Sequence, residues 1–224
     1  MSKYYISINQ IAEFLNSSKA VQRRIVKQQI TPNKLLIPWY QQAKGALKKY
    51  FANIDVYEPI EVAIEKLEKK IPSNNRQKID KNVSIEALKK VTTIEKPKLL
   101  RDISYQLIKS NVKDLNINDV DIRVAPDVIF KGTLDGKIVY GAVKFHVSKT
   151  KPFDFEQAKL VSTLLYQFMK ENIANATEKV LPELCLCYDV FGERLVPAPR
   201  NTSKQLTVIK GLCNEIKEVW PKSA

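Results

Sequence analysis

Histidine appears once in these 224 residues, cysteine three times and glycine six times, and each scarcity closes off a chemistry. The single histidine, His146, cannot build a multi-histidine metal centre. Cys185, Cys187 and Cys213 lack metal-ligand spacing and cannot supply the thiolates of an iron–sulfur cluster. Cys185 and Cys187, two apart in an apolar run, read as buried free thiols on one strand face. No glycine-rich phosphate loop, Gly-x-Ser-x-Gly elbow or His-Glu-x-x-His pair is present. No run approaches the roughly 18 apolar residues of a membrane span, and the first residues lack the apolar stretch of a secretion signal. No membrane association and a cytoplasmic location are therefore expected.

Acidic residues are also in short supply, 24 against 37 lysines and arginines, for a formal charge of +13. The imbalance is concentrated in residues 1–100, which carry 19 basic against 9 acidic residues, while 101–224 carry 18 against 15. Such a field attracts polyanions, and the expected partner is nucleic acid, DNA ahead of RNA. A lysine-rich surface that only solubilises is the plainer explanation of the same charge. At 44% hydrophobic residues the chain can still bury a substantial core.

Helical periodicity dominates the first 110 residues. Ser7 can cap a helix over 8–15, and Ser17 or Ser18 one over 19–29. A third runs from about Leu36 to Phe51, with Leu36, Tyr40, Ala43, Leu47 and Tyr50 on one stripe and Gln41, Lys44 and Lys48 off it. Further helices are predicted over 59–70, 84–91 and 98–108, with the polar stretch 72–78 as a mobile connection. From Val120 the period changes to two. Strands are predicted over 120–124, 127–131 and 137–147, then a helix capped by Asp154 to about Asn172, strands over 184–188 and 195–197, and a last helix over 203–219. The chain thus divides into a basic helical region, 1–97, and an α/β region, 98–224. Arg23, Arg24 and Lys27 on one helix, and Lys44 and Lys48 on another, are candidate phosphate contacts.

The stretch 124–146 carries the chemistry. Asp135-Gly136 between two β-branched and aromatic runs signals a tight hairpin, so Asp127 opens one strand and Lys144 stands late in the next. Alternation puts Ala142, Lys144 and His146 on one face, and Gly141, Val143 and Phe145 on the other. A lysine inside an apolar strand is costly unless paired, and Asp127 across the hairpin is the natural partner. A purely structural ion pair explains both residues without catalysis. His146, aligned with Lys144, is a candidate phosphate contact.

Pro126-Asp127, a hairpin and Lys144, followed by a helix and a strand, resemble the core of the PD-(D/E)xK nuclease superfamily over about residues 98–190. The resemblance implies a restriction-endonuclease-like α/β fold of helix, three-stranded meander, helix and strand. It also implies Asp127 as a Mg²⁺ ligand and Lys144 as the lysine that orients the nucleophile or stabilises developing charge. Gln157 matches the glutamine that RecB-like members carry on the next helix, although Val161 stands where those members have a tyrosine. The 14 residues between Asp127 and Ala142 fit the usual gap, but Ala142 holds the second acidic position and a methyl binds no cation. Glu156, on the following helix, is the candidate migrated acid and second metal ligand; Asp121 and Glu95 come after it. Glu156 and Gln157 are adjacent, so their side chains point about 100° apart and only one can face the site. The expectation is a non-cleaving, nucleic-acid-binding subunit of a larger assembly in restriction, repair or defence. The alternatives are a divergent Mg²⁺-dependent nuclease using Asp127, Lys144, Glu156 and Gln157, and a protein-interaction component with a basic face.

Overall fold

The computed structural model describes residues 3–32 and 39–221. In chain order its first elements are β1 (Tyr4–Ser7), α1 (Ile8–Leu15), α2 (Lys19–Ile30), α3 (Gln41–Tyr50), α4 (Glu58–Lys69), α5 (Asn75–Val91) and α6 (Lys98–Asp102). Strands follow: β2 (Tyr105–Ile108), β3 (Asp114–Ile117), β4 (Val120–Arg123), β5 (Val128–Leu134) and β6 (Lys137–His146). The chain closes with α7 (Phe155–Asn172), β7 (Lys179–Asp189), β8 (Arg194–Pro197) and α8 (Ser203–Val219). The protein is mixed α/β, as expected.

Two mixed sheets form the frame: a five-stranded sheet in the order β2-β5-β6-β7-β8 and a three-stranded one in the order β1-β4-β3. In the larger sheet β2, β5 and β6 run antiparallel in succession, and α7 then crosses over so that β7 pairs parallel with β6. The β5–β6 turn is the predicted Asp135-Gly136, both with positive φ (49° and 71°), which matches the twist of a two-residue hairpin. Where β6 meets β7 the register shifts between Tyr140 and Ala142. A side chain on Gly141 would lie 2.4 Å from Leu184 Cβ, so the glycine is required by this close approach.

Alternation along β5, β6 and β7 builds two cores on opposite faces of the large sheet. One face (Ile129, Ala142, Cys185, Cys187) packs with α1, α2, α7, α8 and the small sheet; the other (Phe130, Val143, Phe145, Tyr188) packs with α3 to α6. The N-terminal helices therefore share both cores with the strands. The change at residue 97 is one of secondary structure, not of separate cores.

Four local expectations are corrected. The helix expected over 98–108 ends at Asp102, and Tyr105–Ile108 instead forms edge strand β2. The strand expected to open the meander, 120–124, belongs to the small sheet, where β4 pairs with β1 and β3; β2 takes its place beside β5. The strands β1 and β3 have no counterpart among the predicted elements. The connection expected over 72–78 is already helical from Asn75, because the Asn74 side chain accepts from Gln77 N and caps α5. The predicted start of the third helix at Leu36 lies outside the described residues.

Candidate nucleic-acid interface

Asp127 sits just before β5, its N–H donating to Val143 O at 2.9 Å, which extends the ladder by one step and sets it across from Lys144. Its Oδ2 accepts from Phe145 N at 3.0 Å and lies 3.7 Å from Lys144 Nζ. Its Oδ1 lies 3.4 Å from Lys48 Nζ, so both carboxylate oxygens face a lysine. The Asp127 and Lys144 side chains are only 13% and 14% exposed, whereas that of Lys48 is 49% exposed. Lys144 Nζ also donates to Ala125 O at 2.6 Å. Ala125 has φ +39°, uncommon for a residue with a Cβ.

Lys48 reaches this group from α3. Ala43, Ala46, Leu47 and Tyr50 bury one stripe of that helix, leaving Lys44 and Lys48 one turn apart on a shared edge. Burial lowers the Lys144 pKa, and Lys44 and Lys48 push it the same way while Asp127 opposes them. The cluster therefore contains three lysines and one carboxylate.

This set does not fit a Mg²⁺ ion, which asks for near-octahedral oxygen ligands at short range. Ala142 is fully buried between Ile129 and Cys185. Glu156 turns toward α8, where its Oε2 accepts from Gln205 Nε2 at 3.2 Å and its Oε1 lies 3.6 Å from Lys159 Nζ. Gln157 forms a capping box with Asp154 and donates through Nε2 to Ala12 O at 3.0 Å, tying the start of α7 to α1. Asp121 accepts from Asn116 Nδ2 on the small sheet, and Glu95 is exposed between α5 and α6. Among the described residues no group of three or more His, Cys, Asp or Glu side chains is placed to hold a metal.

His146 stacks on Phe153 with ring centroids 3.5 Å apart and planes at 11°. Its Nε2 is 2.7 Å from Lys151 O, which can only accept, so the ring proton sits on Nε2. Burial, helped by Lys44, drives the His146 pKa down to about 4, so at neutral pH the ring offers hydrogen bonds but no charge. His146 also lines a cavity of about 550 Å³, together with Arg24 and Gln157.

Apart from Glu156, which pairs with Gln205 and Lys159, the candidate residues fall into three groups. Asp127, Lys144, Lys44 and Lys48 form one ionic cluster; Arg24, His146 and Gln157 share a cavity beside it; Arg23 and Lys27 are exposed on α2. Sequence reasoning missed Phe153 and Lys151 at the cavity, and the Ala125 carbonyl beneath Lys144. The Phe153-Asp154 step before a predicted helix was the available signal for the first of these. No protein-family model matches the chain, and no curated protein matches it. Among the described residues no helix is long and apolar enough to cross a membrane.

Proposed function

We propose that the protein associates with nucleic acid, DNA before RNA, through a PD-(D/E)xK-like core that holds phosphate without cutting it, as a subunit of a larger DNA-processing or defence assembly. The observation that carries this reading is the occupancy of Asp127. Where the resemblance calls for a metal between carboxylates, this carboxylate has Lys48 on one oxygen and Lys144 on the other. An ammonium is a hydrogen-bond donor and point charge suited to phosphate, and it supplies no Lewis acid to polarise one. The antiparallel run β2-β5-β6, the α7 crossover and the parallel β7 support the superfamily resemblance, with α6 and β2 filling the positions that the sequence pattern assigns to 98–108 and 120–124.

The test is the salt dependence of duplex DNA binding by the full chain. Lys44→Gln with Lys48→Gln is expected to flatten the slope of log affinity against log salt by up to about 1.8, near 0.9 for each phosphate no longer neutralised. An unchanged slope, with the unfolding midpoint preserved, places phosphate elsewhere. An acidic polypeptide that displaces DNA at equal charge concentration would hand the face to a protein partner.

A further inference from the structure

We propose that the cavity beside the lysine cluster holds one unstacked nucleotide of a single strand whose neighbouring phosphate lies on Lys44 and Lys48. The inference rests on the nucleic-acid reading above and names the form of nucleic acid that the site takes. The cavity lies between α1, α2 and the segment joining β6 to α7, and its volume of about 550 Å³ accommodates a base with its sugar. Its wall offers an apolar plane and polar groups together: the Phe153 and His146 rings, the hydroxyls of Ser148 and Thr150, and the exposed guanidinium of Arg24. That mixture suits a flat heteroaromatic ring on a charged backbone.

Two further observations favour a nucleotide over a plain anion. The side-chain oxygen of Asn9, a residue of the cavity wall, is buried with no hydrogen-bond partner among the described residues. Leaving an acceptor in that state is costly, and the exocyclic amine of adenine or cytosine would relieve it once the amide turns to meet a ligand. His146, with its proton on Nε2, keeps Nδ1 as an acceptor. Among the described residues of the wall the one carboxylate, Glu13, is already paired with Lys151, so Arg24 remains for phosphate. Placement agrees as well. Lys44 acts electrostatically on His146, which lies two residues along β6 from Lys144, so the lysine cluster and the cavity adjoin.

Duplex DNA buries its bases in the stack, so only a single strand, a frayed end or a flipped nucleotide can enter. The experiment is fluorescence anisotropy of the full chain with a labelled oligo-deoxyadenosine strand and with an abasic strand of equal phosphate count. Wild type is expected to bind the adenine strand about tenfold more tightly than the abasic one. Asn9→Leu, which takes away the unpaired acceptor and adds no aromatic surface, is expected to shrink that difference. Arg24→Gln is expected to lower the affinity of both strands and to reduce the salt slope by up to about 0.7, the single-strand value for one phosphate. Equal binding of the two strands by wild type, or a base preference unchanged in Asn9→Leu, would overturn the nucleotide cavity and leave the phosphate reading standing. Failure to bind either strand while duplex DNA is still bound would remove the cavity alone, and failure to bind duplex DNA as well would remove both.

Discussion

Two lysines of this protein, Lys144 and Lys96, are largely buried, and their surroundings differ in the charged groups that reach them. Lys144 stands inside strand β6 with a carboxylate 3.7 Å away and two more lysines acting on it from α3. Lys96, between α5 and α6, is 3% exposed and has no carboxylate within ion-pair range among the described residues; its ammonium donates to Val91 O at 2.6 Å and lies over the Tyr50 and Tyr57 rings at 5.3 and 5.8 Å. Burial lowers the pKa of both, to about 8 for Lys96. A depressed lysine pKa is therefore no mark of function by itself. What distinguishes Lys144 is the gathering of charges from separate elements at the C-terminal end of the central strand β6.

The largest effect should come from breaking the paired lysine. Asp127→Ala removes the carboxylate and leaves Lys144 charged and buried and the Phe145 N–H unpaired, which is expected to cost about 3–5 kcal/mol in urea unfolding. Adding Lys144→Met to that variant should recover a large part of the loss, with a coupling of about 1–3 kcal/mol between the two sites. Strict additivity would show that the pair does not interact and that its 3.7 Å approach has no energetic content.

Lys96 should respond to pH instead. Its folded pKa, about 8, lies below the ordinary 10.5, so between these values the unfolded chain holds the extra proton. The penalty for burying its charge is thus fully present below pH 8 and is relieved as pH rises toward 10.5. Its contribution makes the protein more stable along that interval, by at most about 1.4 kcal/mol per pH unit. Lys96→Met should abolish that rise. A variant that keeps the same rise would assign it to another group.

Lys144 was legible in the sequence and Lys96 was not, for a physical reason. Lys144 interrupts a run of apolar residues whose alternation fixes which way it points, and its partner lies across a hairpin that Asp135-Gly136 announces. Lys96 stands in Glu95-Lys96-Pro97-Lys98, a polar stretch indistinguishable from an exposed link; only the packing of α3 and α4 against it makes it buried. The same contrast runs through the fold. Helix α7 was readable because its capping box and apolar stripe are local. Edge strand β2 was not, because Leu99, Leu100 and Ile103 ahead of it continue a helical spacing and its own residues are half exposed. The β3–β4 hairpin turns on Asn118-Asp119, both at positive φ without a glycine, so the usual turn signal is missing. In the site, sequence placed Asp127 with Lys144 but could not give the phase of α7 about its axis, which sends Glu156 to Gln205 and away from the strands. The approach of Lys48 to Asp127 joins residues far apart along the chain, and no local pattern encodes it.

The most direct test of a lysine-filled, non-cleaving core is to incubate the purified full chain with labelled duplex and single-stranded DNA in Mg²⁺ and, separately, in Mn²⁺, following binding and strand integrity together. Expected is DNA that is bound, released by salt and recovered intact with either metal. Strand scission by wild type that disappears in Asp127→Ala would contradict it and restore a metal to the place Lys48 now holds.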